Sequence, residues 1–355
     1  MTFFPGGLAT GIGSLPYTDP GQALPLILEN MPGIPHWPQL PRRGGAEGFV
    51  FQFLQPLIRA GLLVVKEGRA VFDDRDPQWP GGLTRFYSDY LAVEEGDAAA
   101  LQSFALPREA AAGFYAFMEA MGRDLGRARY VKGHLAGPLT VAFQLKNRQG
   151  RIAYYEEQLR DLVVKTLAAH AAWQARTLGD LGRPAIIFVD EPAVSVYGQS
   201  TYITVTREMI KEDLETIFQF IHREGALAGV HSCDAIDWSI LCETSLDIIN
   251  LDAYNFGSSL WIYSRELRVF LERGGVIAWG MVPTSEKAFA ENEDTLLARW
   301  RELLAGLVDR GVPEDLLYRQ CLLTPACGTG LLEPALAEHI YRLTRRMSER
   351  VQGLG

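Results

Sequence analysis

The sequence predicts an α/β fold, and within that class a single-domain (β/α)8 TIM barrel that spans residues 1–355. Short apolar runs, each about as long as a buried strand, recur along the chain, and from Ala185 onward they alternate strictly with helix-like stretches. Polar residues directly follow several of these runs, which is where barrel enzymes assemble their active sites. An open doubly wound sheet is the alternative, but about eight strand candidates in this length fit a barrel better.

The predicted strands are short aliphatic runs, and in chain order they cover 8–12, 62–65, 130–135, 185–189, 226–230, 247–251, 276–279 and 321–323. The predicted helices have apolar residues at spacings of three and four, and they cover 151–181, 206–224, 260–273, 294–310 and 333–351. The segment from about 32 to 126 is rich in proline, glycine and aromatic residues and lacks a clear period. We expect it to form long loops, with a hairpin near 62–72, that cap one end of the barrel.

Composition and charge exclude several classes of protein. The 43 acidic and 34 basic side chains give a net charge of −9, which argues against a surface for nucleic acid or anionic membrane. The content of 48% hydrophobic and 22% charged residues is typical of a globular chain and not of disordered, collagen-like or coiled-coil proteins. No apolar run approaches the roughly 18 residues of a membrane span, and the first residues lack the basic start of a signal peptide. Because four cysteines do not suggest a disulfide framework, we expect a cytoplasmic protein.

The first candidates for chemistry are His231 and Cys233, which lie two residues apart after a predicted strand. Residues at i and i+2 of an extended segment point to the same side, so the imidazole and the thiol converge. Cys327 and Asp252 follow other predicted strands and could add a sulfur and an oxygen, both of which zinc accepts as ligands. A buried cysteine beside a hydrogen-bonded core histidine is the alternative for so short a motif. The other two cysteines lie inside predicted elements and are expected to be structural.

Two further motifs could bind a substrate. Asp190 and Glu191 follow a buried strand and precede a proline, so one of them could bind an amino group or act as a base. Alternatively, Asp190 caps the next segment while Glu191 faces solvent. Ile12, Gly13 and Ser14 follow the first strand, where glycine permits close backbone approach and the serine and free N–H groups can hold a carboxylate. A turn without function is the alternative for this second motif.

Together these motifs resemble the cobalamin-independent methionine synthase family, which belongs to a barrel superfamily shared with uroporphyrinogen decarboxylase. The resemblance rests on GIGSLP at 11–16, GPLT at 137–140, VDEPA at 189–193, HSC at 231–233, DIINLD at 247–252 and TPACG at 324–328, in the family's order. These motifs span nearly the whole chain. The resemblance implies a TIM barrel with zinc as cofactor and homocysteine as the thiol substrate.

The resemblance also implies roles for individual residues. Four residues would hold the zinc ion: His231, Cys233, Asp252 and Cys327. Asp252 departs from the family, which has a glutamate there, and its side chain is one methylene shorter. Three residues would contact the carboxylate end of homocysteine: Ile12, Gly13 and Ser14. Asp190 would bind the amine as the catalytic-site carboxylate, and Glu47 would be a second amine-binding carboxylate.

The methyl-donor side departs further from the family pattern. Three positions that the family uses for a folate donor carry Gln144, Val196 and Ser285 in this chain. The 355 residues are expected to form one barrel, without the family's second barrel. The resemblance to short relatives therefore implies a zinc-dependent S-methyltransferase of methionine biosynthesis whose donor is a methylcorrinoid or a corrinoid protein. Two alternatives remain, namely a corrinoid-linked methyltransferase for another thiol such as coenzyme M, and a zinc- or ligand-binding barrel without catalysis.

Overall fold

The central element of the molecule is a parallel β-sheet. The computed structural model describes residues 3–66 and 69–354, and within them the strands are β1 Leu8–Ala9, β2 Leu63–Lys66, β3 Arg69–Phe72, β4 Val131–Ala136, β5 Lys146–Asn147, β6 Ala185–Asp190, β7 Leu227–Ser232, β8 Ile248–Leu251, β9 Val276–Val282 and β10 Cys321–Pro325. Seven of them form one sheet in the order β1-β10-β9-β8-β7-β6-β4, with every neighbouring pair parallel. Leu8 of β1, Phe188 of β6 and Leu322 of β10 belong to one buried cluster, which indicates that the sheet curls around its apolar face.

Helices follow the strands and cover the outside of the sheet. They are α1 Pro20–Asn30, α2 Gln55–Arg59, α3 Trp79–Glu94, α4 Ala112–Arg123, α5 Pro138–Gln144, α6 Glu157–Gly179, α7 Arg207–Arg223, α8 Trp238–Cys242, α9 Ala253–Phe256, α10 Ser264–Glu272, α11 Glu293–Val308, α12 Glu314–Arg319 and α13 Pro334–Gln352. The alternation of strand and helix predicted from Ala185 onward is confirmed. In the part of the chain that the structure describes, no helix is both long and apolar enough to cross a membrane.

The predicted eight-stranded closed barrel is observed only in part, because the sheet has seven regular strands. In the place of an eighth strand, residues 34–39 lie between β4 and the residues that follow β1. Lys132 donates its N–H to the carbonyl of Pro35 at 2.9 Å, and Gln39 donates to the carbonyl of Gly13 at 3.0 Å. The two prolines of this segment have no N–H group, so a regular ladder cannot form there. Because the prolines interrupt its apolar pattern, this segment was not among the predicted strands.

The predicted barrel strand at 62–65 is wrong, although the hairpin expected near 62–72 is confirmed. β2 pairs antiparallel with β3, and these two strands form a separate small sheet with β5. The long loops expected for residues 32–126 also contain helices α2, α3 and α4. Proline and two glycines in the first turn of α3 obscured it, but a helix tolerates proline there because its first N–H groups have no intrahelical partner.

The helices predicted at 206–224 and 294–310 begin within one residue of α7 and α11, because side-chain caps define these starts. The hydroxyl of Thr206 accepts the N–H of Met209 at 3.2 Å and begins α7. Asn292 and Thr295 form a reciprocal capping box that begins α11. These side chains satisfy N–H groups that have no partner within the helix, so the helix boundaries follow from local chemistry.

The parallel arrangement brings the carboxyl ends of the strands to one edge of the sheet. β6 ends at Asp190, β7 ends at Ser232, β8 ends at Leu251 and β10 ends at Pro325. The residues that directly follow these ends therefore lie on the same face of the molecule, as barrel geometry requires. The candidate site is built there.

Candidate metal and substrate site

The structure brings three of the four predicted metal ligands together. His231 lies at the end of β7, Cys233 follows that strand, and Cys327 follows β10. One ligand atom from each of these residues lies within 4.8 Å of the others. Both cysteines are free thiols and only partly buried. A histidine nitrogen and two sulfurs at this separation form a donor set suited to zinc.

His231 is held so that one ring nitrogen faces the two sulfurs without a hydrogen-bond partner. Its Nδ1 lies 2.6 Å from the side-chain oxygen of Asn250. The amide nitrogen of Asn250 donates to the carbonyl of Ala278 at 2.7 Å and to the hydroxyl of Thr324 at 2.9 Å, which fixes the amide orientation. His231 Nδ1 must therefore carry the proton. Its Nε2 is buried without a partner, which is the state of an imidazole ready to bind a metal.

The two thiols differ in their tendency to ionise. A hydrogen bond from the Cys327 thiol lowers the pKa of Cys233 to about 4, and the nearby His231 acts in the same direction. The same contact with Cys233 and burial raise the pKa of Cys327 above its usual range. The cluster thus stabilises a thiolate on Cys233 at neutral pH, and thiolates are the form in which cysteines bind metals.

Asp252, the fourth predicted ligand, lies outside this cluster. It precedes α9, and one carboxylate oxygen accepts the N–H of Asn255 at 2.9 Å while the other accepts its side-chain amide at 2.7 Å. Both oxygens therefore serve the helix cap. A metal-binding role for Asp252 stays a prediction.

The cluster lies at the buried end of a cavity of about 460 Å³. Asp190 and His231 line its buried end, whereas Phe49 and the 84% exposed Leu331 line its open end. Apart from the three cluster residues, Asp190, Gln39 and Ser14, the walls are formed by apolar residues and glycines. A small polar ligand with an apolar body fits such a cavity.

Asp190 presents an unpartnered carboxylate to the cavity. It is only 6% exposed, and its Oδ1 has no hydrogen-bond partner. Burial raises its pKa to about 6, and the nearby His231 and Lys132 act in the opposite direction. The alternative in which Asp190 caps the next segment is wrong, since its side chain lines the cavity.

The Ile12–Ser14 segment forms one wall of the cavity. A Cβ atom on Gly13 would lie 2.5 Å from the ring of His134, and its φ of +157° is unfavourable for other residues. His134 stacks on Trp37 at a centroid distance of 4.0 Å and cannot retreat. Only glycine therefore fits at this position.

Ser14 also connects this wall to the segment that carries Cys327. Its carbonyl accepts the N–H of Thr329 at 3.1 Å, and its hydroxyl accepts the N–H of Gly330 at 3.2 Å. The hydroxyl proton of Ser14 is then free to point towards a ligand. The predicted substrate-binding serine and a predicted metal ligand are thus held in one unit.

Glu47 is buried but does not line the cavity. Its Oε1 accepts a hydrogen bond from Arg43 at 2.7 Å and one from the N–H of Ala112 at 3.3 Å, and its Oε2 has no partner. The predicted contact of Glu47 with a substrate amine stays a prediction.

Glu191 has a structural role that the sequence did not reveal. It is fully buried, and its carboxylate accepts the N–H groups of Leu139 at 2.7 Å and of Thr140 at 2.9 Å, together with the Thr140 hydroxyl. A Cβ on Gly137 would lie 2.3 Å from this carboxylate. The GPLT motif is therefore the start of α5, capped by Glu191 of the neighbouring strand, and the alternative of an exposed Glu191 is wrong.

Two other buried polar residues below the cavity were also missed. Asn250 holds His231, and Lys132 is a fully buried lysine in β4 whose Nζ donates to the carbonyl of Ile12 at 2.6 Å. Burial lowers the pKa of Lys132 to about 7, and the charge of Asp190 counteracts this effect. In the sequence, such residues can be recognised as polar side chains within an apolar run that forms a strand, as in VKGHLA and IINL.

Comparisons with known proteins give only distant structural similarities. No protein-family model matches the chain, and no curated protein matches it. A B12-independent methionine synthase from Shewanella sp. W3-18-1, solved in complex with selenomethionine, is 15% identical with a TM-score of 0.45, and the match covers 67% of each chain. A double mutant of the Cellulomonas fimi endo-beta-1,4-mannanase is 13% identical with a TM-score of 0.37, over 72% of this chain and 61% of that one. A GH113 beta-mannanase from Alicyclobacillus acidocaldarius is 13% identical with a TM-score of 0.32, over 67% of this chain and 90% of that one. Because all three TM-scores are below 0.5, these similarities assign neither a family nor an activity to this chain.

Proposed function

We propose that this protein is a zinc-dependent methyltransferase that transfers a methyl group to the sulfur of homocysteine and forms methionine. The observation that carries the proposal is the cluster of His231, Cys233 and Cys327 at the buried end of a cavity whose wall contains Ser14 and Asp190. On this proposal, a zinc site and a site for a zwitterionic amino acid would lie side by side. The order of the sequence motifs supports the same proposal.

His231 Nε2 and the sulfurs of Cys233 and Cys327 would hold the zinc ion, and the unpartnered Nε2 and the stabilised Cys233 thiolate fit this role. When bound, zinc would lower the pKa of the substrate thiol so that its thiolate, the nucleophile, is present at neutral pH. The Asn250 amide keeps His231 in the required tautomer. These residues therefore provide binding and orientation before any methyl donor arrives.

Asn250→Ala is expected to weaken zinc binding about 10–100-fold, because loss of a residue that orients a metal ligand has effects of this size. His231 Nδ1 would lose its acceptor and the ring its fixed orientation. Competition with a chromophoric chelator measures the affinity. Thr324→Val is the matched control, since it removes one contact of Asn250 but leaves the bond to the Ala278 carbonyl. Equal zinc affinity of Asn250→Ala and the wild type would show that this contact does not orient the ligand.

The acceptor amino acid would be oriented by groups on two walls of the cavity. The Asp190 carboxylate would bind the ammonium group, because it is buried, unpartnered and adjacent to the metal cluster. The Ser14 hydroxyl and the backbone N–H groups of Ile12–Ser14 would bind the carboxylate. This places the thiol end of homocysteine towards the sulfurs of the cluster.

A methylcorrinoid or a corrinoid protein is the proposed methyl donor. The folate-linked positions carry Gln144, Val196 and Ser285, none of which supplies the aromatic ring, carboxylate or imidazole found there in folate-using enzymes. Among the described residues that line the cavity, none is lysine or arginine, so an anionic donor tail would find no cation there. In the transfer, the thiolate electron pair forms the new sulfur–carbon bond, and the donor's bond to the methyl group breaks.

The cavity chemistry favours homocysteine over two other classes of substrate. A sulfonate thiol such as coenzyme M has no ammonium group, so it would leave the buried Asp190 carboxylate of the cavity without a cationic partner. Glycoside hydrolysis uses two carboxylates that flank the bond to be cleaved. Asp190 is the one acidic residue among the described lining residues, and the carboxylate of Glu191 caps α5.

The proposal is tested by measuring zinc in the purified protein and by incubating the zinc-loaded protein with L-homocysteine and methylcobalamin. We expect about one zinc ion per chain, since one donor set of suitable geometry is present, and we expect methionine as the product. Zinc binding and homocysteine binding without methionine would contradict the donor assignment. A protein that binds zinc but not homocysteine would instead be a metal-binding barrel of another function.

A further inference from the structure

Lys132 is an unusual residue for the middle of a buried strand. It lies in β4, is fully buried and does not line the cavity. Transfer of an ammonium group from water into a protein interior is costly unless charge or hydrogen bonds compensate for it. Lysine at this position therefore requires a compensating role.

The Lys132 side chain has one hydrogen bond, to the wall of the cavity, and one contact with a core aromatic ring. Its Nζ donates to the carbonyl of Ile12 at 2.6 Å and lies 4.3 Å from the ring centroid of Phe188. Asp190 is two residues further along the same strand as Phe188, and the charges of Lys132 and Asp190 act on each other. Lys132 thus contacts the wall that would bind the substrate carboxylate.

The bond to Ile12 also sets the direction of the next peptide group. The described residues contain no cis peptide bond, and in a trans peptide the C=O and the following N–H point in opposite directions. With the Ile12 carbonyl directed at the buried Lys132, the N–H of Gly13 is directed away from it. Ile12 and Ser14, on either side of Gly13, both line the cavity.

We propose that Lys132 is a positioning residue that makes the site selective for zwitterionic amino-acid thiols. It holds the Ile12–Gly13 peptide with its N–H towards the substrate carboxylate. The inference rests on the proposed function, because it takes homocysteine as the acceptor. Lys132 does not touch the metal cluster or the reacting sulfur.

The variant Lys132→Met separates this role from a purely structural one. Methionine has nearly the same length and keeps the apolar contact with Phe188, but it lacks the charge and the donor. If Lys132 only filled space, this variant would be neutral or stabilising, because it removes a desolvated charge. Zinc content and a cooperative unfolding transition establish that the variant is folded. Lys132→Gln, which keeps a neutral donor, is the second variant.

The experiment measures the binding of L-homocysteine and of 1-propanethiol to the zinc-loaded protein by calorimetry. We expect Lys132→Met to weaken homocysteine binding about 10–100-fold, the size of a lost charge-assisted contact, and to leave propanethiol binding unchanged. Lys132→Gln is expected to give an intermediate value. In turnover, KM for homocysteine should rise while kcat changes little.

Three outcomes would count against the inference. If both Lys132 variants keep the wild-type ratio of homocysteine to propanethiol affinity, Lys132 does not determine selectivity and the inference alone is overturned. If neither variant folds or binds zinc, Lys132 is a structural residue and the inference is likewise overturned. If the wild type itself does not prefer homocysteine to propanethiol, the proposed function fails and the inference fails with it.

Discussion

Cys327→Ser is expected to give a protein with little bound zinc and no detectable methyl transfer to homocysteine. The cluster contains one nitrogen and two sulfur donors, so the change removes one of two thiolate ligands. The loss of affinity should exceed the roughly 10–100-fold effect of losing a residue that only orients a ligand. Zinc is measured by elemental analysis after dialysis, and methionine by chromatography.

Cys242→Ser is the matched control for this prediction. Cys242 is a buried free thiol in α8, and burial raises its pKa to about 12, so it is not a thiolate at neutral pH. The same cysteine-to-serine change should therefore leave the zinc content at the wild-type level. Equal zinc content in Cys327→Ser and Cys242→Ser would rule out Cys327 as a ligand and remove the main support for the proposed enzyme.

Part of the candidate site could be predicted because parallel strands end at one edge of a sheet. His231 and Cys233 converge through the two-residue period of an extended chain, and Cys327 joins them from another strand end. Asp252 was predicted as a metal ligand because it also follows a strand. Its position after a strand does not show whether its carboxylate binds a metal or caps a helix. Its two oxygens cap α9 through Asn255.

The residues that hold the site could not be predicted, because their roles depend on contacts between distant parts of the chain. Asn250 reaches His231 across two neighbouring strands, and Lys132 reaches Ile12, which is 120 residues away in the sequence. Their position inside an apolar strand run is a local signal, but it does not show which distant residue each side chain contacts. These side chains become buried and make their long-range contacts only after the sheet has formed.

The fold was predictable where periodicity and caps agree, and it was not where proline and glycine interrupt the pattern. Most strands of the sheet match the predicted apolar runs within a few residues. Residues 34–39, which lie beside β4 and contribute backbone hydrogen bonds on both sides, carry two prolines and have no strand signature. The (β/α)8 prediction therefore assigned the remaining strand to 62–65, which belongs to the hairpin instead.

Glu191→Ala is expected to lower the free energy of unfolding by about 2–6 kcal/mol, because each of two buried N–H groups left without an acceptor costs roughly 1–3 kcal/mol. The N–H groups that begin α5, at Leu139 and Thr140, would lose their acceptor in a buried site. The space beside Gly137 would also become a cavity. Urea unfolding of the zinc-loaded protein measures the change, and an unchanged free energy of unfolding would show that the cap is dispensable.

The pH dependence of Glu191→Gln provides an independent check on the same network. Burial, which outweighs the hydrogen bonds from Thr140 and Leu139, raises the pKa of Glu191 from 4.5 to about 7. The folded state then binds the proton more tightly than the unfolded state, so this contribution to stability is complete below pH 4.5 and is lost as the pH rises through about 7. Glutamine cannot ionise, so the stability of the wild type relative to Glu191→Gln should fall between these two pH values. A constant difference, measured by urea unfolding across this range, would mean that the three donors keep Glu191 ionised in the folded protein even at acidic pH, with its pKa near the ordinary value.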